Sequence, residues 1–269
     1  MNLKFIKMEA LGNDYIYVDM VENKGLTVAD IRSATPAISD RHKGVGGDGV
    51  IVIDATSSSG EIWTRIFNAD GSEAEVCGNG LRCIAQLAYD SVYTKGRQEF
   101  DIILKKTGRK AKAFVGEKTV TIDMGEVMVG NETALDLNGK KITYIPVNIG
   151  NPHAVVFSKD IDSIDLEEVG SGIESHKDFP NRTNVEFVDV IDQDNIRLRV
   201  WERGAGETMA CGSGACASTA AAMNKGLCHT HVSVKMPGGT ATVSKNGNSM
   251  YLTGPVNYVF KGEYLIPIQ

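Results

Sequence analysis

Cys77-Gly78-Asn79-Gly80 and Cys211-Gly212-Ser213-Gly214 are two runs of one design, a thiol followed by residues with little or no side chain. They lie 134 positions apart in a chain of 269 residues, half its length. Each leads into a stretch that reads as helix. The N–H groups of a helix's first turn have no intrahelical acceptor and carry partial positive charge. A cysteine placed there is expected to have a depressed pKa and a reactive thiolate. The glycines let backbone approach a ligand closely. The N–H groups of Gly78, Asn79, Gly212 and Ser213 then form a candidate cradle for a carboxylate. One such cysteine would read equally well as a small residue filling a tight cap; two at equivalent places point to chemistry.

Three chemistries use a pair of related thiols or a single one. A redox protein would join Cys77 and Cys211 as a disulfide. A thiol hydrolase needs one cysteine, an oriented histidine and a third group, so doubling adds nothing to it. Racemisation of a carbon acid needs a base on one face and an acid on the other. A thiolate takes the α-proton, a thiol returns one, and negative charge developing on the substrate carboxylate lies against two helix N-termini. That chemistry needs no pyridoxal phosphate and accounts for thiols, glycines and repetition together.

The elements that must position these residues repeat as well. Residues 65–80, RIFNADGSEAEVCGNG, align without gaps on 199–214, RVWERGAGETMACGSG. LGNDYIYV (11–18) resembles IGNPHAVV (149–156), and RHK (41–43) precedes SHK (175–177) by 134 positions. Alternating or β-branched runs predict strands at 4–10, 15–20, 49–55, 61–67, 100–106 and 119–125. In the second half they predict strands at 141–149, 153–158, 185–191, 196–202, 231–236, 240–244 and 249–256. The best helices are 80–95 and 214–226, with 27–41 and 165–176 as shorter ones. Each half reads as many strands wrapped on one central helix. The fold class is α+β rather than a doubly wound parallel sheet. The halves divide near residue 120: 1–120 carries Cys77 and 121–255 carries Cys211, with a last strand at 256–269 returning to the first half. Residues 125–140 read as a polar connection. Duplicated folds often place a site at the seam between halves.

Other motifs weaken under inspection. GVGGDG (44–49) satisfies G-x-G-x-x-G, but helix precedes it and strand follows, the reverse of a dinucleotide fingerprint. It reads as a glycine turn entering a strand. Cys77/Cys83 and Cys211/Cys216 lack zinc spacing, and His229 with His231 read as surface residues, so no metal is expected. Cys83, Cys216 and Cys228 read as small apolar residues. A composition of 42% hydrophobic and 23% charged residues fits a globular protein with a sizeable core. A net charge of −6 without a basic cluster disfavours nucleic acid as partner. No run of 18 apolar residues predicts a membrane span. Five cysteines without a dense framework, and a start without the apolar core of a signal peptide, point to the cytoplasm.

LGNDY, FNADGSEAEVCGNGLRC, GNPHAV, ESHKDFPNRTNVEFV and ERGAGETMACGSGACAS closely resemble the diaminopimelate epimerase family, in order and through nearly the whole chain. The resemblance implies interconversion of LL- and meso-2,6-diaminopimelate without cofactor or metal, two pseudo-symmetric domains that are each a barrel-like, mixed or antiparallel sheet around a central helix, a site in the cleft between them, and a homodimer. It implies Cys77 and Cys211 as the acid/base pair. It implies Gly78, Asn79, Gly212 and Ser213 as the carboxylate cradle, and Asn13, Asn68, Asn151, Asn184, Glu202 and Arg203 as substrate contacts. Glu202 suits the reacting ammonium, and the planar fork of Arg203 suits a distal carboxylate. His153 matches a histidine near the catalytic cysteines, with a polarising or a structural role. Some members carry glutamine where this chain has Gly49, so a substrate contact made there falls to backbone or water, or is missing. A proline or hydroxyproline racemase shares the two-cysteine logic, and a non-catalytic dicarboxylate-binding protein is a third reading.

Overall fold

The computed structural model describes residues 2–54, 61–91 and 93–266. The expectations touching Ala55, Val92 and 267–269 lie outside the described residues. The chain divides into two compact units, Met1–Ile122 with Gly254–Gln269, and Asp123–Thr253.

The first unit runs β1 (Asn2–Ala10), β2 (Asn13–Asp19), α1 (Val28–Ser39), β3 (Gly49–Asp54), β4 (Ile62–Asn68), α2 (Gly78–Asp90), β5 (Glu99–Leu104), β6 (Lys110–Val115) and the start of β7 (Val120–Glu126). β1 and β2 form an antiparallel pair; α1 then carries the chain to β3, which runs parallel to β2. β3 and β4 are antiparallel, and α2 leads to β5, parallel to β4. β6 and β7 follow as antiparallel neighbours.

The second unit runs β8 (Met128–Val129), β9 (Thr133–Leu137), β10 (Lys140–Asn148), β11 (Pro152–Phe157), α3 (Leu166–Glu174), β12 (Asn184–Val190), β13 (Asn195–Glu202), β14 (Gly206–Thr208), α4 (Gly212–Asn224), β15 (His231–Met236), β16 (Gly239–Asn246) and β17 (Ser249–Gly254). The succession of the first unit recurs. An antiparallel β10–β11 pair precedes α3 and the parallel strand β12. Antiparallel β12 and β13 precede α4 and the parallel strand β15, and β16 and β17 complete the series. The last strand, β18 (Asn257–Leu265), pairs with β1 of the first unit.

The middle strands β3 and β12 are covered on both faces, which is why they are buried almost throughout rather than alternating. On β3, Val50 and Val52 pack with Ile31 and Ile38 of α1, while Ile51 lies against the first turn of α2. On β12, Val185 and Phe187 pack with Leu166 and Ile173 of α3, while Glu186 lies against the first turn of α4. From Gly212 to Ala222 every residue of α4 is buried, as expected of a helix without a polar face.

Three boundaries differ from the sequence reading. Helices α2 and α4 begin at Gly78 and Gly212, two residues early, because each cysteine is itself the N-cap. Helix α2 stops at Asp90 rather than continuing to 95. Ser91 caps it, its N–H donating to the Leu87 carbonyl and its hydroxyl to the Ala88 carbonyl. Residues 125–140 are not merely a connection. They hold β8 and β9, and Asn138-Gly139, both at positive φ (+53° and +82°), turn β9 into β10 as a tight hairpin. Lys110–Val115, for which no strand is expected from the sequence, forms β6 with its lysines on the exposed side.

Candidate active site

The two cysteines occupy the same local geometry. Cys77 caps α2 with φ −140° and ψ 105°, and Cys211 caps α4 with φ −119° and ψ 115°. Each sulfur accepts the N–H of the third helical residue, Gly80 at 3.3 Å and Gly214 at 3.4 Å. A thiol thus stands where serine or aspartate usually caps. The first-turn N–H groups of Gly78 and Asn79, and of Gly212 and Ser213, have no intrahelical acceptor by helix geometry. Each unit therefore presents a sulfur beside a small anion-binding turn.

The surroundings of the sulfurs differ. In the first unit Cys77 donates to Asn13 Oδ1 at 3.2 Å. The Asn13 amide donates to Asp48 Oδ2 at 2.6 Å. Asn68 is turned to its own loop, its amide donating to Ser72 Oγ at 2.9 Å. In the second unit Cys211 Sγ lies 3.5 Å from Ser213 Oγ, and Ser213 Oγ accepts from the Asn151 amide at 3.4 Å. Asn151 Oδ1 meets His153 Nε2 at 3.1 Å, and His153 Nδ1 meets Glu186 Oε1 at 2.6 Å. His153 and Glu186 are wholly buried side chains. The Glu202 carboxylate acts electrostatically on Cys211, and its Oε1 accepts from Thr208 Oγ1 at 2.5 Å. Asn184 donates to the Pro152 carbonyl and accepts the backbone N–H of Arg203 at 3.0 Å, which fixes the exposed Arg203 at the end of β13.

Register shows how far the likeness goes. Tyr15 pairs with Gly49 across β2 and β3 as His153 pairs with Asn184 across β11 and β12. Asn13 thus corresponds to Asn151, Asn68 to Glu202, Gly49 to Asn184 and Ile51 to Glu186. The second unit holds ionisable groups where the first holds an aromatic, an isoleucine and amides.

Electrostatics overturns one expectation. The Cys211 thiol is not depressed by its helix; burial pushes it well up, and the Glu202 and Glu186 carboxylates push it further. The Ser213 and Gly214 donors pull the other way and are outweighed. Burial also raises Glu202, against the bonds from Thr208 and Cys211. A buried thiol beside a carboxylate of raised affinity for protons is an arrangement for passing one proton between them. Gly49 is closed to side chains: a Cβ there would lie 2.0 Å from the Phe67 carbonyl oxygen. Asp48 and Glu186 are the groups that sequence reasoning missed. Asp48 stood in plain view in GVGGDG, whereas Glu186 sat inside an apolar strand run, where a charged residue was itself a signal. Among the described residues no cluster of three or more His, Cys, Asp or Glu is placed to hold a metal. His229 instead pairs with Asp194 at 2.8 Å. No helix of the described residues is long and apolar enough to cross a membrane.

The sequence model of a family described as diaminopimelate epimerase matches residues 5–129 and 145–259. The chain belongs to the diaminopimelate epimerase family. Proteins described as diaminopimelate epimerase from Methanococcus maripaludis and Leptospira biflexa are each 40% identical to it. The first alignment covers 97% of this chain and 99% of its relative, the second 98% and 99%. Like other members of an epimerase family, it is an isomerase by sequence. Among solved structures, a Bacillus anthracis phenazine biosynthesis protein of the PhzF family superposes with a TM-score of 0.76 at 17% identity, covering 99% of this chain and 100% of that one. A hydroxyproline epimerase from Agrobacterium vitis, solved with trans-4-hydroxy-L-proline, gives 0.63 at 16% identity, covering 98% and 91%. At such identities these two establish the shared α+β fold.

Proposed function

We propose that this family member interconverts LL- and meso-2,6-diaminopimelate by two-base proton transfer at the α-carbon, a step toward lysine and peptidoglycan precursors. The observation that carries this reading is the matched pair of cysteine N-caps, each with a helix N-terminus beside it, in a chain 40% identical to proteins described as diaminopimelate epimerase. The reaction needs one base on each face of the carbon, and each unit offers one. Cys77 and Cys211 serve as the acid/base pair. The N–H groups of Gly78, Asn79, Gly212 and Ser213 take up charge that develops on the substrate carboxylate. Glu202 accepts the Cys211 proton and then meets the substrate ammonium, and Arg203 with Asn13, Asn68, Asn151 and Asn184 receives the polar groups. His153 tunes the Cys211 side through Asn151 and Ser213. No cofactor is required by this chemistry, and the enzyme works in the cytoplasm. It acts as a homodimer. Large apolar side chains exposed on β18, Tyr258, Val259 and Phe260, support an interface there.

In ²H₂O the product is expected to carry solvent deuterium at the α-carbon while unreacted substrate keeps its protium. Cys77→Ser and Cys211→Ser should each slow turnover by at least about 10²-fold, the contribution typical of a placed acid or base. A variant that keeps the parent rate removes its thiol from the mechanism. Exchange on proline but not on diaminopimelate would instead select the racemase reading.

A further inference from the structure

The glycine loop at 44–49 has no task in the reading above, yet it is pinned tightly to β2. The Asp48 N–H donates to the Asp14 carbonyl at 2.7 Å. The buried Lys7 ammonium donates to the Gly46 carbonyl and pairs with the Asp14 carboxylate at 2.6 Å. A Cβ on Gly47 would lie 2.9 Å from Lys7 Nζ and 3.0 Å from the Asp14 carbonyl oxygen, so only glycine lets the loop come this close. The result is to set the Asp48 carboxylate against Asn13. Asp48 Oδ2 accepts from Asn13 Nδ2 at 2.6 Å and from the Asp14 N–H at 2.9 Å, while Oδ1 accepts from Arg41 at 2.9 Å.

We propose that Asp48 is a positioning residue that locks the Asn13 amide with its oxygen toward Cys77, and so favours that cysteine as the protonated, proton-donating thiol. This rests on Cys77 being one of the two acid/base groups. Burial raises Asp48, but the Asp14 N–H, the Asn13 amide and the Arg41 cation favour its anion; an ionised carboxylate is an acceptor only, so the amide turns its NH₂ end to Asp48. The end left for the sulfur, 3.2 Å away, is then an acceptor, which satisfies a thiol and repels a thiolate. The charges around Asn13 are two cations, Lys7 and Arg41, against two anions, Asp14 and Asp48. Tyr17 on β2 and Cys83 on α2, which act electrostatically on Cys77, are kept neutral by burial, Cys83 at about 12, and Glu9 on β1 acts on Cys83. The second unit has no such lock. Asn151 faces His153 and Ser213 there, and Cys211 meets a hydroxyl and a carboxyl. The two thiols are therefore held in unlike surroundings before substrate arrives.

The test is alkylation of Cys77 by iodoacetamide across pH, in the full chain without substrate, read by peptide mass spectrometry. Asp48→Ala frees the amide to rotate. Its midpoint should fall by about one pH unit, making alkylation at pH 7 about tenfold faster, with the plateau at high pH unchanged. Asn13→Ala should lower the midpoint too, and adding Asp48→Ala to it should move nothing further. A higher plateau with an unmoved midpoint would mean that Asp48 merely shapes the loop, and the proposal fails. A raised midpoint in Asn13→Ala overturns it as well, whether or not the Asp48 variant folds. Because no substrate is used, absent diaminopimelate turnover would sink the proposed function and leave this inference standing, and an unmoved midpoint would do the reverse.

Discussion

Glu202 bears on stability and, in the proposed mechanism, on reaction. Burial raises it, so the folded state holds its proton more tightly than the unfolded chain does. Its stabilising effect is then complete below the unfolded value of roughly 4.3 and is lost as pH rises through the higher folded value. Glu202→Gln removes that loss. The variant should melt above the parent at pH 8 and together with it at pH 4, while turnover falls because the proposed proton acceptor of Cys211 is gone. Thermal melts at the two pH values decide this, and an equal difference at both would show that ionisation is not the cause. Glu186 is the harsher case, a wholly buried carboxylate held by His153 at 2.6 Å. A polar group so placed needs its partner.

At the scale of elements, the helix starts do most of the positioning. Gly80 and Gly214 are the third residues of α2 and α4 and meet different neighbours. A Cβ on Gly80 would come 2.7 Å from Ile51 Cδ1, the free end of a flexible side chain. One on Gly214 would come 2.9 Å from Glu186 Oε1 and 3.3 Å from its Cγ, and Glu186 is pinned. Alanine gains up to about 1 kcal/mol over glycine inside a helix. Gly80→Ala should therefore leave the melting temperature near the parent value, because Ile51 can turn aside. Gly214→Ala should lower it by several degrees, because Glu186, held by its hydrogen bond to His153, cannot. Matching losses in the two variants would mean that Glu186 is no more fixed than Ile51. The two glycines are indistinguishable in sequence, and the difference between them lies in what β3 and β12 place underneath.

For the whole molecule, the proposed homodimer makes a separate prediction. Phe260→Glu places a charge among the exposed apolar side chains of β18 and should give monomers by light scattering, with each unit's spectrum unchanged; a persistent dimer would place the interface elsewhere. The sequence by itself determined the repeat, the thiols at two helix starts, and the α+β class. Those features are local: cap residues, glycine runs and strand periodicity act within a few positions, and the second copy of each confirms the first. It also held the Asn138-Gly139 hairpin, a short-range turn signal. Only tertiary structure decided that Asp48 faces Asn13, that Glu186 lies under α4 with His153, and that Cys211 is raised rather than depressed. Each of these depends on groups brought together from strands or loops 33 to 35 positions apart, or from the burial around them. The sign of a pKa shift follows from burial and charge in three dimensions, and no spacing along the chain contains either.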